Sequence, residues 1–454
     1  MDAPSPTQRG QWSSKAGFVL AAAGSAIGLG NIWRFPYVTG QSGGAAFVVL
    51  YLLCIALICL PYLFAELALG RFSHKNPVGA IQAIRRRTPW TLVGGLCVLT
   101  GVFILSYYAV IAGWAFGYIF KSAIDPGSEF GAFISNPSLV VPLFGLFLIL
   151  TIVVVYGGVE KGIERWAKVL MPVLLLLMLL VILRAVTLPG AGEGLEFYLK
   201  PDFSKVTGTV VLAALGQAFF SLSLGMGAMI TYGSYLPKQE DLLAAGTYVA
   251  VFDTAIALLA GFMIFPALFA VGASPDAGPA LVFIVLPQIF QALPLGTLLA
   301  VVFFLLLSIA ALTSTVSLLE VVVAYFVDEK RWSRKRSVWI IGGVTFVIGL
   351  PSALAQGASP ALSDLTPIFG ENGFFGQRDF LSVMDFLWGN LSLAVGALLI
   401  SIFVGWVWGA GPAAESMREG SRASATVGRV WGFFIRYVCP IVIFIVLLNI
   451  FGLV

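Results

Sequence analysis

Apolar residues run along this chain in stretches of about twenty, long enough to cross the hydrocarbon core of a bilayer, parted by short polar or basic joints. The runs fall at 14–38, 43–70, 90–120, 139–157, 166–187, 208–236, 242–271, 295–327, 338–357, 380–408 and 430–453. Each is too long and too uniform for the alternating strands of a barrel. All eleven are therefore expected to be helices, which satisfy their own backbone in lipid. Residues 278–291 are apolar but short, follow Pro275 and Gly278, and are expected to make a re-entrant or capping hairpin outside.

Two runs are interrupted. Gly24-Ser25-Ala26-Ile27-Gly28-Leu29-Gly30-Asn31-Ile32-Trp33-Arg34-Phe35-Pro36 sets three glycines, an Asn, an Arg and a Pro inside the first. Glycine loses more backbone entropy in a helix than other residues, and Pro36 cannot donate to the helical ladder. Gly216 to Ala228 interrupts the sixth run in the same way, with Gly225 and Gly227 close together. Bare backbone at bilayer depth is tolerated only where protein or a water-filled cavity receives it. Two glycine-broken segments at matching places in two halves are the pattern of a binding site shared by inverted repeats. The expected fold is all-α and membrane-integral, with eleven transmembrane helices. Spans one to five and six to ten form a 5+5 inverted repeat whose helices 1 and 6 are unwound. The divisions are 1–13 (N-terminal segment), 14–190 (first repeat), 191–410 (second repeat) and 411–454 (a loop and the eleventh span).

Composition sharpens the class. Of 454 residues 59% are hydrophobic and 11% charged, against about 25% charged in soluble domains. Arg85, Arg86, Arg87, Lys330, Arg331, Arg334, Lys335 and Arg336 belong to one set of loops, and the alternate loops are poor in Lys and Arg. The positive-inside rule then puts the N-terminus in the cytoplasm and, with an odd number of spans, the C-terminus outside the plasma membrane. The basic loops are read as topology signals, with no nucleic acid implied. No cleavable signal sequence is expected before the first span, since the polar residues 1–12 lead into it without a cleavage-site pattern. Cys54, Cys59, Cys97 and Cys439 sit in apolar runs without disulfide or zinc spacing. The one histidine, His74, lies in a basic loop and is expected to be solvated. A P-loop is absent, which argues against coupling to ATP. An intramembrane enzyme would need a nucleophile and base that these residues do not supply.

The polar residues inside apolar runs carry the chemistry. In the first break Ala26 and Ile27 can offer carbonyls and Asn31 a side-chain oxygen. Ser221 and Ser223 add hydroxyls in the sixth span, and Thr313 and Ser314, just after Ala310, add two in the eighth. Neutral oxygens suit a hard monovalent cation, whereas calcium would draw several carboxylates. The competing role for Thr313 and Ser314 is a hydroxyl bonded to its own helix. Glu66, Asp253 and Glu320 are intramembrane acids, each costing about 2.5–3.5 kcal/mol on insertion scales, so each should have a partner or a task. Asp253 can balance the cation, and Glu66 can accept N–H groups from the unwound segments. Glu320 either faces the interior or stays protonated. Arg34 with Asp385, and Arg9 with Asp328, can close gates at the two ends. Tyr108 and Phe220 are candidate pocket walls. Gly162 and Pro172 should make the cytoplasmic end of span five easy to unwind, letting water reach an inner ion site.

Gly28-Leu29-Gly30-Asn31-Ile32-Trp33-Arg34-Phe35-Pro36, Glu66 with Gly70-Arg71, the stretch from Gly216 to Gly225, and Leu312-Thr313-Ser314 together resemble the neurotransmitter:sodium symporter family, in its bacterial branch. The resemblance runs from Arg9 to the tenth span. It implies two sodium ions as coupling ions. The first would be held by Ala26, Asn31, Ser221, Asp253 and the substrate carboxylate, the second by Gly24, Ile27, Ala310, Thr313 and Ser314. Substrate would touch the Leu29 and Gly30 amides, Tyr108, Phe220, Ser223, Met226 and Leu318. Arg34–Asp385 and Arg9–Asp328 match the family's gate pairs. Asp253 stands where a leucine-transporting member has Asn, a fixed negative charge that should make chloride dispensable. Met226 replaces an aromatic, and a flexible thioether tolerates varied shapes. Gly28 stands where amine-transporting members place Asp, so the substrate must bring its own carboxylate. The implied activity is sodium-coupled uptake of hydrophobic or aromatic L-amino acids from outside the bilayer, by alternating access. An exchanger or proton-coupled carrier of similar fold, with Asp253 titrating, is the other transport reading.

Overall fold

The computed structural model describes residues 10–124, 129–275, 281–291, 295–370, 375 and 378–453. Among these, nine helices are long and apolar enough to span a bilayer: Ala45–Ser73, Thr91–Ile124, Pro137–Tyr156, Val159–Val186, Leu242–Ala270, Gly296–Lys330, Arg334–Leu354, Phe380–Arg418 and Ala425–Ile450. They match spans two to five and seven to eleven. Spans one and six are each built from two shorter helices.

Span one starts at Ser14, whose hydroxyl accepts from Gly17 N at 3.1 Å and caps Lys15–Ala26. The helix stops at Ile27, which is extended (φ −71°, ψ 104°). Winding resumes at Gly30 in a π-helical turn that takes in Arg34, and Lys15–Ala26 and Gly30–Gln41 are bent by 53°. Span six runs Gly208–Ser221, capped by Thr207, and restarts as Ala228–Gly233. Between them Gly225 (φ 86°) and Gly227 (φ 76°) take left-handed backbone, which only glycine adopts at no steric cost. Neither has room for a side chain: a Cβ on Gly225 would lie 2.4 Å from Leu393 O, and one on Gly227 2.7 Å from Pro77 Cγ. Ser223 shares the left-handed region (φ 54°) without glycine's freedom, a strain that surrounding contacts must hold.

The packing repeats between halves. Span one packs on span seven and span six on span two; spans three and eight lie along each other, as do four and nine. Exchanging the halves interchanges the first two contacts and maps each of the last two onto itself, as an internal two-fold repeat requires. Span eleven is peripheral, with 22% of its apolar window buried against 72% for span three. Of the expected hairpin, residues 278–280 lie outside the described residues, and Leu281–Gln291 form one short helix packed against span eight. Its Phe283 stacks on Phe130 and packs edge-on against Trp33, Trp114 and Tyr118. Two readings need correction. The tenth span continues to Arg418, ten residues beyond its apolar run. His74 is half-buried rather than solvated, its Nδ1 3.1 Å from Ser234 O.

Candidate functional site

Breaking the first span redirects its backbone groups. Ile27 N makes a last helical bond to Ala23 O at 2.7 Å. Gly28 N then donates to Asn31 Oδ1 (3.2 Å) and Leu29 N to Tyr108 Oη (2.9 Å). The carbonyls left behind accept hydroxyls from other spans. Ser25 O receives Ser223 Oγ and Ser314 Oγ, both at 3.2 Å. Ile27 O receives Thr313 Oγ1 and Ser314 Oγ, both at 3.4 Å, and Thr313 Oγ1 also reaches Ala310 O at 2.9 Å. Four of the five residues expected at one ion site thus share a bonded cluster. The fifth, Gly24, is there by close approach: a Cβ on it would lie 3.3 Å from Thr313 Cβ and 3.1 Å from Met171 Sδ. Thr313 bonds both its own helix and the broken one, so neither competing role excludes the other. Every donor is a neutral oxygen, the set a hard monovalent cation takes.

A second cluster sits beside it. Asp253, fully buried on span seven, accepts Asn31 Nδ2 at 2.7 Å on Oδ1 and Ser221 Oγ at 2.8 Å on Oδ2. Asn31 Nδ2 also reaches Asp253 O (3.0 Å) and Ser221 Oγ (3.1 Å). In this structure Asn31 bonds through both ends of its amide. Its oxygen faces Gly28 N, and its amide NH2 group points at the carboxylate, because a buried carboxylate needs donors. Tyr51 Oη donates to Ser221 Oγ at 3.1 Å, a contact nothing in the sequence pattern indicated. Ala26 lines the adjoining cavity. Among the described residues, no Lys, Arg or His lies within ion-pair distance of Asp253.

That cavity measures about 40 Å³. Its walls include Gly30, Tyr108, Phe220, Ser223, Met226 and Leu318, six of the seven residues expected to touch substrate. Leu29 is not among them and contributes its N–H to Tyr108 instead. Ile104 and Leu393 also line it and escaped the sequence reading, since an aliphatic residue in a membrane helix carries no mark of its task. Gly28 makes the close approach possible: a Cβ there would lie 2.5 Å from Ser314 Oγ and 2.6 Å from Tyr108 Oη. Gln217 Nε2 donates to Gly30 O at 2.9 Å, so span six holds the other lip of the break.

Phe220 separates this cavity from a larger one of about 660 Å³ at the Arg34 end. The Arg34 guanidinium lies 4.5 Å over the Phe220 ring, a cation–π contact worth about 0.5–2 kcal/mol. Arg34 and Asp385 do not form an ion pair, contrary to a closed gate: Asp385 accepts Tyr107 Oη at 2.9 Å and Asn390 Nδ2 at 3.2 Å. The other expected pair rests on Arg9, which lies outside the described residues; its partner Asp328 accepts Asn76 N at 3.0 Å. At that opposite end Trp12 is buried and donates Nε1 to Tyr232 O at 3.0 Å. Glu164 in span five takes Ser13 N (2.7 Å), Ser13 Oγ (2.6 Å) and Lys168 Nζ (2.6 Å).

The remaining intramembrane acids have partners. Glu66 Oε1 accepts Gly225 N at 3.0 Å and Tyr62 Oη at 3.3 Å, so it receives an N–H from the break in span six as expected. Glu320 pairs with Arg334, and Tyr235 Oη donates to it at 2.6 Å. Arg334, a basic loop residue in the sequence, thus also neutralises a buried acid. Residues Val159–Glu164 of span five are π-helical, and Pro172 lies within the α-helix that follows. A cavity of about 10 Å³ touches Ile163, Ala167, Leu170 and Thr313, joining this stretch to the first cluster.

Two broken helices facing each other in a repeated bundle around buried oxygens and a cavity are the arrangement of a secondary transporter. The profile of the sodium:neurotransmitter symporter family matches residues 9–126 and 134–453. The chain belongs to this family and is a multi-pass membrane, sodium-dependent symporter rather than an enzyme. It is 40% identical over 452 residues to an uncharacterised sodium-dependent transporter, YhdH, of Bacillus subtilis, covering 98% of each chain. It is 30% identical to the sodium-dependent serotonin transporter of Drosophila melanogaster, over 84% of this chain and 72% of that one. The structure of MhsT in complex with L-phenylalanine superposes with a TM-score of 0.86 at 44% identity, covering 97% of this chain and all of MhsT.

Proposed function

We propose that this symporter moves a hydrophobic L-amino acid, aromatic ones included, together with two sodium ions and without a need for chloride. The observation that carries the reading is Asp253: a fully buried carboxylate, bonded only by neutral donors and linked through Asn31 to Gly28, which lines the cavity. A carboxylate kept in that setting calls for a cation. One sodium ion bound there would use Asp253, Ser221, Asn31, the Ala26 carbonyl and the amino acid's own carboxylate. A second would use Gly24, Ile27, Ala310, Thr313 and Ser314. Because Gly28 supplies no side-chain acid, an amine lacking a carboxylate leaves the first ion shell incomplete. Asp253 takes the place that a chloride ion would otherwise fill.

The side chain of the amino acid would lie against Tyr108, Phe220, Met226 and Leu318. A cavity of about 40 Å³ is smaller than the roughly 150 Å³ that houses a benzene ring, so the walls must part. Met226, between two positive-φ glycines, is the flexible wall. With Arg34 and Asp385 apart and Trp12 docked, the Arg34 end is the open one, and pairing of Arg34 with Asp385 would close it over bound substrate. The Arg34 end faces outside and the N-terminus the cytoplasm, following the basic loops. Release at the other end would begin in span five, where Gly162 and Pro172 flank the Glu164 contacts to Ser13.

The test is uptake of tritiated leucine, tryptophan and tyrosine into proteoliposomes, with sodium and chloride varied separately. Uptake that requires an inward sodium gradient and is indifferent to chloride is expected. Uptake that persists when choline replaces sodium would favour a proton-coupled carrier or an exchanger.

A further inference from the structure

An open apolar trough of about 480 Å³ lies where span three begins, lined by Pro89, Trp90, Leu92, Val93, Leu96 and, from span ten, Leu399. Its floor is nearly all hydrocarbon and it belongs to no cavity of the transport path. Leu92 is 76% exposed, and Trp90 is anchored at its rim by Phe403, ring centroids 5.7 Å apart. Directly ahead in the chain stand Arg85, Arg86 and Arg87, all exposed. Thr88 is a one-residue link, and its hydroxyl bonds back to Arg85 O at 3.4 Å. Arg87 takes left-handed backbone (φ 54°) as the chain reverses into span three. Among the described residues none of the three arginines has a carboxylate within ion-pair distance.

We propose that the Arg85–Arg87 cluster and the Trp90–Leu399 trough together form a binding site for an anionic phospholipid of the surrounding leaflet, its phosphate on the arginines and one acyl chain along the trough. The occupant follows from the two parts. Guanidinium groups recognise phosphate oxygens in a bidentate fork. A trough of this polarity holds hydrocarbon and nothing that needs hydrogen bonds. Tryptophan at the junction belongs at headgroup level. A basic topology signal acts during insertion and leaves its side chains free afterwards, so the two roles are compatible. A lipid held there would bridge spans three and ten, each of which carries a wall of the substrate cavity (Tyr108 and Leu393).

The test is native mass spectrometry of the purified full chain in detergent, titrated with phosphatidylglycerol or with phosphatidylcholine of the same acyl chains. One tightly held phosphatidylglycerol is expected, with phosphatidylcholine bound at least about tenfold more weakly, since each basic residue near an anionic lipid contributes roughly 1 kcal/mol. Arg85→Gln/Arg86→Gln/Arg87→Gln should abolish the preference, and Leu96→Trp, which fills the trough with the arginines intact, should weaken binding of both lipids. Equal affinity of the wild-type chain for the two lipids would overturn the proposal without reference to any variant. So would a preference that survives the triple substitution, or binding indifferent to Leu96→Trp. Sodium-dependent amino-acid binding by each variant in detergent reports that it is folded.

Discussion

Asn31 and Asp253 hold each other across spans one and seven, the side-chain amide donating to the carboxylate at 2.7 Å. The same Asn31 turns its oxygen to Gly28 N at 3.2 Å. One side chain therefore ties up both the acid that would receive a cation and an N–H at the lip of the substrate cavity. A sodium ion at Asp253 needs the oxygen, not the NH2 group, of Asn31. Rotating the amide delivers that oxygen and frees Gly28 N–H for a carboxylate. On the proposed function, ion and amino acid would then favour the same arrangement, which is coupling in the thermodynamic sense and is reciprocal.

Asp253→Asn removes the charge but keeps the size. A hydrogen-bonded charge contributes about 1.5–3 kcal/mol, so the sodium concentration for half-maximal uptake should rise by about 10- to 100-fold. Chloride should then stimulate uptake that it leaves unchanged in the wild type. Sodium titrations of uptake, with chloride or gluconate as counter-ion, read both effects.

Gly28→Ala puts a methyl group 2.5 Å from Ser314 Oγ and 2.6 Å from Tyr108 Oη. Overpacking of this kind costs about 1–3 kcal/mol. It falls on both the ion cluster and the cavity, so binding of a tritiated amino acid should fall at least about tenfold. The melting temperature in detergent without ligand should drop by only a few degrees, which separates a damaged site from a damaged fold.

Arg334→Gln strands Glu320, which is fully buried. Breaking a buried pair from one side costs about 3–5 kcal/mol, and neutralising both partners costs much less. Arg334→Gln should therefore be the less stable protein, and Arg334→Gln/Glu320→Gln should recover most of the loss. Denaturation in detergent micelles measures the order.

Span five supplies a dynamic expectation. Its π-helical turn Val159–Glu164, Pro172 and the small cavity against Thr313 should make residues 162–172 exchange amide hydrogens faster without sodium than with it. Equal protection in the two states would remove this stretch from the release path.

The breaks in spans one and six were legible in the sequence because glycine and proline punctuate apolar runs there, and the fold class followed from their spacing. Glu66 was legible too, since an acid opposite bare backbone has few other tasks, and it meets Gly225 N. Contacts between distant positions were not. Glu320 finds Arg334 across the turn after span eight, yet Arg334 looks like any other basic loop residue. Tyr51, Ile104 and Leu393 reach the site from spans two, three and ten with side chains common throughout membrane helices. The amide orientation of Asn31 depends on which neighbours need donors, a property of the assembled cluster. Arg34 and Asp385 were matched as opposite charges, whereas here Phe220 holds one while Tyr107 and Asn390 hold the other.

The shared ion shell is tested most directly by sodium affinity of the purified protein, measured with and without ligand, comparing L-phenylalanine with phenethylamine, its analogue lacking the carboxylate. Phenylalanine should tighten sodium binding by about 5- to 150-fold, the usual span of coupling between sites, and phenethylamine should leave it unchanged. If phenethylamine tightened sodium binding as much as phenylalanine, or if neither did, the ion and the amino acid would not meet at Asp253.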